Sequence, residues 1–550
     1  MKKKKIKVNN KSFLYLNITQ FLGALNDNFF KWLLIFFLIE HLGIDKESTI
    51  ITMTTAVFVI PFLLFSDVAG VLADRISKAR IVKQVKLAEI IIMTIGFMGF
   101  LLKSEYFLYT TLFLMSTQSA VFAPAKYGII PELVDEKALS KANSLLAMMT
   151  FSAIIFGTAC VSFLVKSIDG GFVYLSIICI VVACIGYATS LKIENTPSAG
   201  SDKKISPWFL LEICRTLRIT SKDRYLLTAV LGLSFFWLIG AFLQMQLIPF
   251  GREVLGVSKE TSGLLFMLVS LGIAIGSLLA GILSGTLIEF GIVPIGATGI
   301  TFCMLGLYFT QSIFAVGILL FGLGASAGFF TLPLNAFIQW KAPKKKRGEI
   351  LALVNFLNFV GILCAAGLIF LYGNLFDWSA KSSLAIAGLL TGLLSLIAFV
   401  MLPDFIIRLA VLCTTKLMGK TNSKNAKIIP SNGSAIIYCE CSSLKEILKI
   451  ISTQQRRIHF ISEKKFCNRG NKWLFKLIKI MLFSSKTSCK IPEENMVKIR
   501  KLINAGYIVG IASENTSIAK SIQSILHEEK IIPPAFKAQI KSKKVIFYNS

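Results

Sequence analysis

The sequence predicts an all-α membrane protein: twelve transmembrane helices in two six-helix halves, followed by a small C-terminal cytosolic α/β domain. Three observations carry this. The 550 residues are 54% hydrophobic, with a mean hydropathy of +0.69. Only 16% are charged, against about 25% in a typical soluble domain. Apolar runs long enough for a bilayer, about 20 residues each, recur from Phe13 to Met401 and then stop.

The first six spans are read as Phe13–Leu42, Ile50–Ala73, Val85–Leu102, Phe107–Phe122, Ser144–Val165 and Phe172–Leu191. A polar stretch, KIENTPSAGSDKKISP, and an amphipathic one, WFLLEICRTLRITSKDR, then intervene. The second six are Tyr225–Phe250, Ser262–Leu287, Gly291–Thr310, Ile313–Phe329, Ile350–Tyr372 and Leu384–Met401. The expected divisions are therefore 1–192 and 225–403 for the two halves, 193–224 for a central loop, and 404–550 for the tail.

The net charge of +29 would suggest nucleic acid in a soluble protein. Here the basic residues sit between spans and in the tail, so anionic lipid headgroups are the expected partner and nucleic acid is not. Lys and Arg crowd the N-terminus, the loop after span two, the central loop and KAPKKKR after span ten, while alternate loops carry one or two each. By the positive-inside rule both termini and the central loop are cytoplasmic. The 11 cysteines show no metal-ligand spacing, and free thiols are expected.

Span one carries Asn26, Asp27 and Asn28 in FLGALNDNFFKW, with Lys31 one turn on. A charge at mid-bilayer costs about 2.5–3.5 kcal/mol, so it is kept where it has a partner or a cavity. Asp27 either pairs with Lys31 or caps a helix break near Gly23, or it lines a polar cavity and binds a cationic group or a proton.

The loop after span two reads GVLADRISKAR. Gly70, Asp74, Arg75, Ser77, Lys78 and Arg80 resemble the signature of the major facilitator superfamily. The resemblance implies a rocking transporter. Gly70 would let two helices approach closely and Asp74 would complement a helix N-terminus. Arg75, Lys78 and Arg80 would supply charges that latch one state.

A narrower resemblance lies in QSAVFAPAKYGIIPELVDEKALSKANSL, residues 118–145, and in FLGALNDNFFK. Both are similar to the bacterial lysophospholipid transporter family. That implies movement of lysophospholipids such as lysophosphatidylethanolamine across the inner membrane for re-acylation. Pro124 is expected to end or kink span four, with Lys126 at its cytoplasmic end. Lys126 could hold a lipid phosphate as a point charge, and Glu132 could pair with it or with the Arg75 loop. Gln118 completes the candidate set.

The tail alternates short apolar runs with lysines. AIIYCE, GYIVGIAS and KVIFYN look like strands, and WLFKLIKIMLF like a basic amphipathic helix. Block order resembles the start of a phospholipid acyltransferase domain. On that resemblance Glu440 and Lys445 stand where the catalytic His and Asp are expected, and Glu514 is kept from a later motif. A general base is therefore missing, and the domain is expected to be truncated and inactive.

The expectation is an inner-membrane flippase working by alternating access, with no cofactor and with a separate acyltransferase as a further partner. A proton-coupled exporter of small solutes or drugs and a bifunctional transporter–acyltransferase are the alternatives.

Overall fold

The computed structural model describes residues 10–167, 171–203, 205–206, 208–257, 259–284, 288–374 and 378–401. In the tail it describes 410–411, 413, 422–424, 428–430, 433–441, 443–454, 458–463, 467, 472, 475, 480–483, 493–504, 507–513, 533–541 and 544–549. Contacts divide the chain into two compact units, one of residues 1–288 with 295–396 and one of 289–294 with 397–550.

The first unit is a helix bundle. Its first six long helices are α1 (Asn10–Leu42), α2 (Glu47–Arg75), α3 (Lys78–Leu101), α4 (Glu105–Leu133), α5 (Leu139–Ser167) and α6 (Phe172–Leu191). A short helix, α7 (Phe209–Thr220), follows the polar connector. Six more long helices complete the series: α8 (Arg224–Val254), α9 (Lys259–Ser284), α10 (Ile292–Phe309), α11 (Ile313–Lys341), α12 (Arg347–Asn374) and α13 (Ala380–Met401).

Among the described residues, eleven of these helices are long and apolar enough to cross a membrane. The twelfth, α4, has the length, but Ser116, Thr117, Gln118 and Ser119 interrupt its apolar run. Its extent corrects the expected Phe107–Phe122. The helix runs through both Pro124 and Pro131 to Leu133. A spanning helix tolerates proline because neighbouring helices re-satisfy the freed backbone, and Phe122, Pro124, Ala125 and Ile129 are all buried in packing.

Each half of the bundle has its own core. In the first, Phe30, Phe37, Phe100 and Phe172 meet edge-on or stacked, with centroids 5.3–6.5 Å apart. In the second, Phe242, Leu247, Leu320 and Met304 lie at the centre. Here α9 and α11 approach closely: a Cβ on Gly324 would collide with the Val269 carbonyl, and one on Gly276 with the Ala325 backbone. The halves meet along two seams, α2 against α12 and α5 against α9.

The second unit contains a seven-stranded sheet in the order β1-β7-β6-β2-β5-β3-β4. The strands are β1 (Asn422–Lys424), β2 (Ala435–Glu440), β3 (Ile458–Glu463), β4 (Met481–Phe483), β5 (Ile508–Ser513), β6 (Ala535–Lys541) and β7 (Lys544–Asn549). All neighbours run parallel except β6 and β7, which form an antiparallel hairpin. Two helices are described, α14 (Leu444–Ser452) and α15 (Glu493–Asn504). The three expected strands are β2, β5 and β7. The end of WLFKLIKIMLF is strand β4 rather than helix, and most of what precedes it lies outside the described residues. Strand β2 is buried on both faces, as a central parallel strand requires.

Candidate functional site

The loops after α2 and α11, with the connector after α6, make one end of the bundle strongly basic. There the α2–α12 seam is closed by a ladder of contacts. Asp74 is fully buried, and its carboxylate accepts the backbone N–H groups of Gly348 (2.8 Å) and Glu349 (3.1 Å) at the start of α12. This is a carboxylate on a helix N-terminus, where charge and free donors coincide. One turn back, a Cβ on Gly70 would lie 2.6 Å from Ala352 Cβ, so only glycine permits this approach. Next, Asn355 Nδ2 donates to Ser66 Oγ at 3.3 Å, and Phe62 stacks on Phe359 with centroids 4.2 Å apart. From Asp74 to Phe62 the ladder covers roughly 18 Å at about 1.5 Å per residue, more than half the hydrocarbon depth.

The connector reinforces the same end. Lys203 Nζ stands 2.8 Å from Glu349, 3.1 Å from Glu212 of α7 and 3.8 Å from Asp67 of α2. Burial pulls the Lys203 ammonium down, but its bonds to Glu349 and Glu212 and the charges of Glu349 and Asp67 outweigh that, leaving it above its ordinary value. Burial likewise works against the Glu212 carboxylate, yet Lys203 and Arg215 hold it below its ordinary value. Beside the second seam, where α5 also meets α11, Asn143 and Gln339 bond amide to amide. A Cβ on Gly281 of α9 would strike Ser144 of α5.

The polar cluster of α1 lies deeper, against α3, α4 and α6. Asp27 Oδ2 accepts from Ser119 Oγ at 2.7 Å, and Gln118 Nε2 donates to the same hydroxyl at 3.2 Å. Asp27 Oδ1 is buried and has no hydrogen-bond partner among the described residues. On the far side of α1, Asn26 Nδ2 donates to Glu89 Oε1 (2.9 Å) and to the Cys179 carbonyl (3.2 Å). Glu89 is itself ion-paired with Lys86, one turn earlier on α3, and both are about 1% exposed. Gly23 leaves the space that Lys86 Nζ fills. The ammonium groups of Lys86 and Lys126 flank the Phe122 ring at 5.4 and 5.9 Å, and Tyr127 lies 4.9 Å from Lys126. Asp27 interacts electrostatically with Glu89, Lys86 and Lys126.

The structure thus brings Asp27, Gln118 and Lys126 into one polar cluster and disperses other candidates. Lys126 is not at a helix end; it sits inside α4, because that helix continues past Pro124. It makes no ion pair among the described residues. Asp27 and Lys31 make no contact ion pair there either: Lys31 lies over the Phe58 ring at 5.4 Å. No break forms at Gly23, since α1 is continuous. Asn28 bonds its own backbone at Ala24, a local role. Glu132 pairs with Lys78 at 2.7 Å, not with Lys126. In the loop, buried Lys78 is the pairing cation, while Arg75 and Arg80 are exposed. Sequence reading passed over Ser119, Lys86 and Glu89. The i, i+3 Lys–Glu spacing inside span three was the signal for the last two.

In the tail, Glu440 ends strand β2 and Lys445 is exposed on the first turn of α14. Glu514 lies outside the described residues.

The sequence profile of the Major Facilitator Superfamily matches residues 16–366. The "Lysophospholipid transporter LplT" of Serratia proteamaculans (strain 568) is 27% identical over 369 residues, covering 65% of this chain and 88% of that protein. Its namesake in Yersinia pestis (strain Pestoides F) is 26% identical, covering 65% and 86%. Among solved structures, a bacterial homologue of the iron transporter ferroportin aligns with a TM-score of 0.57 at 16% identity, covering 71% of this chain and 98% of that one. The Escherichia coli fucose:proton symporter aligns with a TM-score of 0.55 at 11% identity, covering 70% and 97%. These two establish likeness of fold. With a matched profile across well over half its length and two six-helix halves meeting along paired seams, the chain belongs to the Major Facilitator Superfamily.

Proposed function

We propose that this protein is a flippase that carries lysophospholipids such as lysophosphatidylethanolamine to the cytoplasmic leaflet of a bacterial inner membrane by alternating access. The names of its relatives support the substrate class. The observation that carries the reading is the polar cluster between α1 and α4: Asp27, with a buried carboxylate oxygen that has no hydrogen-bond partner among the described residues, and the Lys126 ammonium, which makes no contact ion pair among them. An ethanolamine headgroup carries one cation and one anion, so it offers each of these the partner it lacks. Asp27 would take the ammonium and Lys126 the phosphate, while Gln118 and Ser119 orient the carboxylate.

The basic end is taken as cytoplasmic by the positive-inside rule, which places both termini there. Gly70, Asp74 and Lys78 then latch the cytoplasmic side, assisted by Lys203. Releasing them would open a path from that side to Asp27 and Lys126. The tail is read as a degenerate acyltransferase-like domain without activity, because Glu440 and Lys445 cannot act as a histidine base and its orienting acid. Re-acylation then falls to a separate acyltransferase. Uptake of labelled lysophosphatidylethanolamine by spheroplasts expressing the protein tests the reading. Uptake no greater than an empty-vector control would sink it.

A further inference from the structure

Helix α7 packs with one face only. Glu212, Ile213, Thr216 and Thr220 are buried, and the helix touches α2, α8 and α12. Two other stripes face outward. Leu210, Cys214 and Leu217 follow the i, i+4, i+7 spacing of one helix face, and Leu211, Arg215 and Arg218 follow the same spacing beside it. Leu210 and Leu211 are 56% and 57% exposed, and Trp208, just before the helix, is 70% exposed. Cys214 and Arg218 are exposed and Leu217 is half-buried. Arg215 reaches back to Glu212 and still leaves most of its side chain exposed. Glu212 is the one acid in the α7 sequence, so the outward charge is positive.

The turn after α7 fixes its depth. Ser221 N–H donates to the Leu217 carbonyl at 2.8 Å and Asp223 N–H to the Thr220 carbonyl at 3.1 Å, while the Asp223 carboxylate caps the first N–H groups of α8. From Arg224 onward α8 is long and apolar enough to cross a membrane. Helix α7 therefore lies one tight turn from a leaflet surface. At that depth an apolar stripe beside a basic one suits a helix lying in the interface plane. The leucines sit below the headgroups, the arginine stems run along them, and the guanidinium groups meet phosphates. We propose that the outward face of α7 docks on anionic phospholipid at the surface of the cytoplasmic leaflet. Two observations choose lipid over a protein partner: the one-turn connection to a spanning helix, and an outward charge opposite in sign to anionic headgroups. The inference takes the basic end as cytoplasmic and is independent of what the protein transports. Glu212, on the opposite face, bonds Lys203, so docking holds in place the helix that ties the connector to α12.

The test places the purified full-length chain in phosphatidylcholine nanodiscs with or without phosphatidylglycerol, using lipids brominated near the glycerol end as quenchers. The Trp208 fluorescence is read as the difference between wild type and W208F, which removes the other tryptophans. With phosphatidylglycerol present, brominated lipid is expected to quench Trp208 and water-borne acrylamide to lose access to it. Leaving out phosphatidylglycerol is expected to lower the lipid quenching by about twofold or more. R215Q/R218Q is expected to bring the quenching down to the value without phosphatidylglycerol. Quenching by acrylamide alone means a face turned to water and overturns the proposal. Quenching by neither means a face covered by the tail, a second copy or another protein, and overturns it too. Equal lipid quenching with and without phosphatidylglycerol, or a double variant that matches wild type, overturns the anionic surface. If W208F does not fold, hydrogen exchange over 209–220 in the wild type decides: slower exchange with phosphatidylglycerol supports the proposal and equal exchange overturns it. A chain that passes these tests but moves no lysophospholipid supports the docking and sinks only the flippase reading.

Discussion

Asn143 of α5 and Gln339 of α11 exchange two side-chain hydrogen bonds, Nδ2 to Oε1 at 2.9 Å and Nε2 to Oδ1 at 2.8 Å. Both residues are buried, so each amide is the other's substitute for water. Gln339→Leu would strand the Asn143 amide and cost about 1–3 kcal/mol, whereas Asn143→Leu with Gln339→Leu would recover part of that. Thermal unfolding of the purified variants in detergent measures it. A double variant less stable than both single ones would show that the pair contributes nothing.

The seam between α2 and α12 is sensitive to single methyl groups. Gly70→Ala should force the helices apart at Ala352, because the added Cβ would stand 2.6 Å from Ala352 Cβ. Transport should fall several-fold with membrane abundance preserved, and crosslinking between cysteines placed at 66 and 355 should weaken. Unchanged crosslinking would mean that the seam does not need this approach.

Asp74→Asn keeps the shape and loses the charge. One side-chain oxygen can still accept from Gly348 or Glu349, but the attraction to the α12 N-terminus falls by about 1–2 kcal/mol. Labelling, from the basic end, of cysteines placed beside Asp27 should rise. If accessibility stays at the wild-type level, Asp74 is not part of a latch.

Asp27→Asn should abolish transport while leaving insertion normal, since Ser119 can still bond the amide but the ammonium of a headgroup loses its counter-charge. Retained lysophosphatidylethanolamine uptake removes Asp27 from the mechanism.

Lys203 ties the connector to α2, α7 and α12, and its partner Glu212 gives the tie a pH dependence. The Glu212 carboxyl lies below its ordinary value of 4.5, so its contribution is fully present above pH 4.5. It is lost as the pH falls through the lower, folded-state value. Cleavage within 193–223 should therefore be slow at neutral pH, read with trypsin, and faster in acid below the folded-state value of Glu212, read with pepsin. Lys203→Met should give the fast pattern at both. Equal cleavage of wild type and variant at neutral pH would count against the tie.

Much of this was legible in the primary structure, and the exceptions have physical causes. The spans could be placed because roughly 20 apolar residues in a row have no other stable location. Gly70 and Asp74 could be singled out because GVLADRISKAR resembles the signature of the major facilitator superfamily. Helix α4 was cut short because proline is a helix breaker in water, whereas in a packed bundle its lost hydrogen bond is absorbed by neighbours. Lys31 was a candidate for Asp27 because the two are one turn apart, but Ser119 of α4 captures the carboxylate instead.

The sequence by itself determined that the chain spans a membrane, how many apolar segments it has, and which loops are basic. Those are one-dimensional quantities, fixed by local composition and the thickness of a bilayer. Only the tertiary structure decided partners. That Asn26 turns to Glu89 while Asp27 turns to Ser119 follows from the 100° step between adjacent helical residues and from which helix lies on each side. That Lys203 reaches three carboxylates depends on where α2, α7 and α12 come together. Contacts between residues far apart in the chain are set by packing, and no local pattern encodes them.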